Sequence, residues 1–145
     1  MFNHRRNEAG LTKAYKSPKG IFVENGDTMY VAGTRSLSDA WDDLKIPLRR
    51  THQTQRFRDA DEVFGRGGIR KIVGHSLGGA VALEFLRKNP DVETETYGAP
   101  VFSNQKSGQR FCRDRDPVCV FDKGAKKSSI SSSSVLRNHT YRGYS

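Results

Sequence analysis

The residues best suited to do chemistry are Gly74-His75-Ser76-Leu77-Gly78-Gly79-Ala80, which contain a Gly-x-Ser-x-Gly pattern. A serine hydroxyl is a weak nucleophile until it stands clear of the backbone beside a base. A sharp turn from strand into helix presents it exposed in this way, at the cost of a strained backbone. Glycines two residues to either side let neighbouring chain pass close to the turn. Ile69-Arg70-Lys71-Ile72-Val73 reads as the strand before it, and Leu77 to Lys88 as the helix after it. The N–H of Leu77 then sits at a helix N-terminus, where it can hold the oxyanion of a tetrahedral intermediate.

Such a serine needs a base and an acid, ordered Ser, then Asp or Glu, then His. His139 is the one histidine after Ser76 and is the candidate base. His4 and His52 precede the nucleophile, and the side chain of His75 should leave the turn in a different direction from that of Ser76. Asp91, Asp114, Asp116 and Asp122 lie between Ser76 and His139. An acid that orients an imidazole belongs in a loop just past the carboxyl end of a strand. Asp114 and Asp116 meet that condition, whereas Asp91 precedes its strand. Pro117 favours an extended, fixed loop after Asp116, which puts Asp116 ahead while leaving Asp114 open.

The elements that must position these groups follow from local pattern. Gly20 to Glu24 and Thr28 to Ala32 read as two strands joined by the hairpin signal Asn25-Gly26-Asp27. Ser38 to Leu44 begins like a capped helix that Pro47 stops or bends. Thr51 to Phe64 has Phe57, Ala60, Val63 and Phe64 spaced for one helical face, and the glycines at 65, 67 and 68 end it. Val92 to Tyr97 and Gln109 to Cys112 read as further strands. Ser128 to Ser134 has the composition of a flexible connector. Strands alternating with helices imply an α/β fold with a mainly parallel sheet and helices on both faces.

The chain has 145 residues, suited to one compact domain. Residues 1–12 read as a polar, basic arm and residues 13–145 as the domain. No run approaches a membrane span. The polar start has no apolar stretch behind it, which argues against an export signal and for a cytoplasmic or assembly-associated protein. The formal charge of +9 is either a solvated surface or an attraction to something anionic. Its arginine and lysine pairs are scattered, without a basic block or an RNA-binding aromatic signature, so a membrane surface is favoured over nucleic acid. Cys112 and Cys119 are too few for a metal set, and no cofactor motif appears. They could pair if the intervening loop brings their Cα atoms within about 7 Å, but without an export signal two reduced, partly buried thiols are favoured.

Taken together, the residues resemble the class 3 lipases. Tyr30-Val31-Ala32-Gly33-Thr34, followed by Asp39-Ala40-Trp41-Asp42-Asp43-Leu44, is similar to that family's strand, Gly-Thr turn and Asp-Trp-x-x-Asp-Leu segment. Ile72 to Ala80 resembles its nucleophile turn, Thr96-Tyr97-Gly98-Ala99-Pro100 its next strand, and Asp116-Pro117-Val118 its acid loop. The resemblance covers about residues 15–144. It implies a reduced α/β-hydrolase-like fold, Asp116 over Asp114 as the acid, and Thr34 as second oxyanion donor. It also implies structural roles for Trp41 and Asp43. The segment that usually carries a lid, Lys45 to Arg50, is short and polar here, which argues for an esterase over a lipase of long triglycerides, and the loop from Lys123 to Ser134 lacks the apolar residues of a deep acyl tunnel, which implies a site that is shallow or completed by a partner chain.

The function expected from these readings is hydrolysis of carboxylic esters by Ser76, Asp116 and His139, with Thr34 and Leu77 as oxyanion donors. The substrate would be a small ester or a lipid, with phospholipid favoured by the basic charge. The alternative is a lipase-like component of a larger assembly, such as a virus particle, kept for protein contacts with little or no catalysis.

Overall fold

A computed structural model describes residues 3–33, 55–99, 108–113, 119, 125–128, 140–142 and 144. Their elements are α1 (His4–Lys16), β1 (Ile21–Glu24), β2 (Thr28–Val31), α2 (Gln55–Gly65), β3 (Lys71–His75), α3 (Leu77–Lys88), β4 (Glu93–Tyr97), β5 (Gln109–Arg113) and β6 (Lys126–Ser128). The six strands form one sheet in the order β1-β2-β3-β4-β5-β6. The β1–β2 pair is antiparallel, and every later pair is parallel. The fold is therefore α/β with a mostly parallel sheet, as expected.

Alternation along the strands sends side chains to two faces. Met29, Val31 and Ile72 pack with Phe57 and Ala60 of α2 and Val81, Ala82 and Phe85 of α3. Tyr30, Val73, Tyr97 and Phe111 pack on the opposite face with Leu11 and Ala14 of α1 and with Tyr141 and Tyr144. Helices thus cover both faces. Fully burying a side chain such as Leu11 or Phe85 contributes about 1.5–3 kcal/mol. Among the described residues, no helix is long and apolar enough to cross a membrane.

The hairpin forms where its signal stands, with Asn25 at φ 54° and Gly26 at φ 75°, the left-handed pair that a tight hairpin turn requires. The helix expected over residues 51–64 is α2, whose described part starts at Gln55. The expected helix from Ser38 and the polar segment at Lys45 to Arg50 lie outside the described residues.

Three expectations are corrected. Residues 1–12 are not an arm, because α1 begins at His4 and buries Asn7, Gly10, Leu11 and Ala14. Asn3 starts it, its side chain accepting from Arg6 N at 3.0 Å. Ser128 is not part of a connector but ends the sheet strand Lys126–Ser128, and the rest of the expected connector lies outside the described residues. Cys112 and Cys119 are not reduced thiols but a disulfide, with Cα atoms 6.0 Å apart. The end of β5 and residue 119 come within bridging distance, and both sulfurs are buried.

Candidate active site

β3 ends at His75, α3 begins at Leu77, and Ser76 forms the joint. Ser76 has φ 56° and ψ −125°, a conformation that costs a residue with a Cβ about 1–3 kcal/mol. Its N–H still donates to Tyr97 O on the neighbouring strand at 3.0 Å. Its carbonyl already accepts from Gly79 N at 2.9 Å and Ala80 N at 3.2 Å. The chain therefore passes from sheet pairing to helix pairing within one residue. Serine is favoured at such a position because its hydroxyl usually caps the helix. Here the Ser76 side chain makes no capping hydrogen bond, so capping does not explain the serine.

The glycines around the joint are there for space. A Cβ on Gly78 would run into the carbonyl of Val31, and one on Gly74 into the backbone of Gly78. Strand β2 consequently lies against the first turn of α3. A Cβ on Gly33, just beyond β2, would stand 2.7 Å from Ser76 Cβ, 2.8 Å from His75 O and 3.2 Å from Leu77 N. The Gly33 backbone thus abuts both the serine and the N–H expected to hold an oxyanion. Ser76 is only 5% exposed, so it lies inside the protein, whereas the sequence suggested an exposed serine.

His75 leaves the turn toward α1, where its Nδ1 lies 2.5 Å from the Tyr15 hydroxyl. The same hydroxyl accepts from Gly33 N at 3.0 Å. The ring of Tyr141 stacks on Tyr15 at 5.4 Å and meets His75 edge-on at 5.1 Å. Its hydroxyl lies 3.1 Å from Thr12 Oγ1. The C-terminal stretch thus comes back to the serine joint two residues after His139.

A second polar network runs beneath α1. Asn7 Nδ2 donates to Glu95 Oε1 at 2.8 Å and to the Tyr97 hydroxyl at 2.9 Å. Lys71 Nζ lies 2.6 Å from Glu95 Oε2. His4 Nδ1 meets the Tyr97 hydroxyl at 2.6 Å. Burial pushes the phenols of Tyr15 and Tyr97 well above the ordinary tyrosine value, so both stay protonated and act as hydrogen-bonding groups.

Of the residues singled out in the sequence, Ser76 and Leu77 sit together at the β3–α3 joint. Thr34, Asp116 and His139 lie outside the described residues, as do Asp114, Asp122, Trp41 and Asp43. Their described neighbours are informative. Gly33 touches Ser76, as given above. Parallel pairing sets His75 level with Tyr97, and Tyr97 level with Phe111. β5 therefore ends on the same sheet edge as the serine, at Arg113, which in sequence directly precedes Asp114 and stands three residues before Asp116.

Tyr15, Arg56, Asn7 and Glu95 were missed. Arg56 Nη2 donates to Gly33 O at 3.1 Å, and its Nη1 donates to Lys19 O. The buried positions of α1, at 7, 10, 11 and 14, have helical spacing, which is the signal that could have found this helix. A cleft of about 420 Å³ between β1 and α2, lined by Ile21, Val23 and Val63 with Lys19 and Glu62 at its rim, shares no residue with the serine joint. Among the described residues, no cluster of His, Cys, Asp or Glu could hold a metal ion.

Comparison with models of known protein families, with characterised proteins and with solved structures finds no match to this chain.

Proposed function

We propose that this chain is a serine hydrolase of carboxylic esters, an α/β-hydrolase of the class 3 lipase type. The observation that carries the reading is Ser76 itself. It is a serine held at positive φ between a parallel strand and a helix, with a side chain that does not cap that helix. Helix starts do not call for that strain, whereas the strand-to-helix turn that carries a nucleophilic serine does.

In this reading Ser76 Oγ attacks the ester carbonyl while His139 takes its proton, and Asp116 orients the imidazole. The N–H groups of Leu77 and Thr34 hold the oxyanion. Collapse of the tetrahedral intermediate releases the alcohol, which receives the proton from His139, and leaves an acyl group on Ser76. Water activated by His139 then frees the acid. No cofactor is required. Two contacts support the arrangement: Tyr141, just after His139, packs against His75, and β5, just before Asp116, ends beside the strand that precedes Gly98.

The substrate class is a small ester or a lipid acyl ester, and the charge of +9 favours an anionic phospholipid surface. The test is a panel of p-nitrophenyl esters and phospholipid vesicles, run with the wild type and Ser76→Ala. Turnover by the wild type alone supports the proposal. Equal turnover by both overturns it, and no turnover by either favours a lipase-like component of a larger assembly.

A further inference from the structure

Gly33 is held from both sides by side chains of two different helices. Its N–H donates to Tyr15 Oη of α1 at 3.0 Å. Its carbonyl accepts from Arg56 Nη2 of α2 at 3.1 Å. Neither contact belongs to sheet pairing, because β2 ends at Val31.

Each of the two residues is itself anchored. The Tyr15 hydroxyl also meets His75 Nδ1 at 2.5 Å. Tyr15 thereby links the chain beyond β2 to the residue just before Ser76. Arg56 donates in addition to Lys19 O. Its guanidinium occupies the space beside Gly20, where a Cβ would collide with it, and Gly20 O in turn accepts from Ala32 N at 2.9 Å.

We infer that Tyr15 and Arg56 are positioning residues that fix Gly33 against Ser76 and Leu77, and so hold the backbone wall beside the Leu77 N–H at the oxyanion site of the proposed hydrolase. The inference rests on that reading of the site. Holding both the N–H and the carbonyl of Gly33 restrains the backbone that faces Ser76 and Leu77. Leu77 N is placed independently by α3, and a Cβ built on Gly33 would stand 3.2 Å from it. Oxyanion stabilisation needs donors within a narrow distance of the developing charge, and a displacement of about 1 Å costs on the order of a hundredfold in rate.

The test uses Tyr15→Phe and Arg56→Gln in the full chain, with p-nitrophenyl butyrate as substrate and an aryl trifluoromethyl ketone as inhibitor. The ketone adds the serine oxygen to its carbonyl carbon and places negative charge where the oxyanion forms. Rates are expressed per site titrated with a fluorophosphonate. Each variant should lose about 10- to 100-fold in kcat, keep KM within about twofold, and lose affinity for the ketone by the same factor as kcat. Arg56→Gln, at a half-buried position of α2, provides the reading if Tyr15→Phe does not fold. Unchanged kcat and ketone affinity would overturn the inference, as would a loss that vanishes once rates are expressed per titrated site. The wild type in the same assay separates the two levels of the account. An inactive wild type overturns the hydrolase reading itself, whereas an active wild type with unaffected variants overturns only the positioning role.

Discussion

The N–H of Ser76 donates to the carbonyl of Tyr97 at 3.0 Å, so the serine is still tied to β4 although its φ has swung to 56°. The strain is local, and the elements on either side keep their ordinary pairing. It can persist only because the packing around it is too close to relax. That packing yields the first prediction.

Gly78→Ala places a methyl group against the Val31 carbonyl. Relief requires moving either β2 or the first turn of α3. The variant should lose about 2–3 kcal/mol of stability, read from urea denaturation, together with any ester hydrolysis. A variant as stable and as active as the wild type would show that the Val31–Gly78 approach does not govern the joint.

His4 yields a pH dependence. Burial lowers its imidazole below the ordinary 6.5, Glu95 opposes this, and Lys126 adds to it. The unfolded chain takes up its proton at the ordinary value, while the folded chain does so only at lower pH. The unfolded state therefore binds more protons in this window, and stability falls as the pH drops below 6.5. His4→Asn keeps a hydrogen-bonding atom near Nδ1 but does not titrate there. Urea midpoints measured from pH 7.5 to pH 5 should fall more steeply for the wild type than for the variant. Parallel profiles would contradict the assignment.

The Cys112–Cys119 disulfide closes a short loop, which in sequence contains Asp114 and Asp116. Restricting the unfolded chain by such a loop contributes about 2–3 kcal/mol. Reduction, or Cys112→Ser with Cys119→Ser, should lower the melting temperature. It should also reduce ester hydrolysis by loosening the segment that carries the proposed acid. Retained activity after full reduction, checked by mass, would separate the crosslink from the site.

The sequence and the fold agree where one local rule acts alone. The Asn25-Gly26 turn, the strands from β1 to β5 and the serine joint all follow from patterns a few residues long. They part where burial is achieved by polar groups. The inner face of α1 is Asn7, Gly10, Leu11 and Ala14, with one large apolar side chain, and it reads as a polar arm. Asn7 is accepted inside because Glu95 and Tyr97 satisfy its amide, and Gly10 because the Tyr30 ring fills the space a Cβ would take. Tyr15 and Arg56 were illegible for a related reason. Their importance comes from one shared backbone group, Gly33, which no spacing within the sequence reveals. The disulfide depended on a Cα separation that only the tertiary structure provides.

The central claim concerns Ser76 as a nucleophile, and covalent labelling tests it most directly. The wild-type chain is incubated with a fluorophosphonate, digested, and the modified residue located by mass spectrometry. The account predicts one adduct per chain, on Ser76, with hydrolysis of p-nitrophenyl butyrate lost in step with labelling, and no adduct in Ser76→Ala. A wild type that hydrolyses the ester without being labelled at Ser76, or a chain that is not labelled at all, would contradict it.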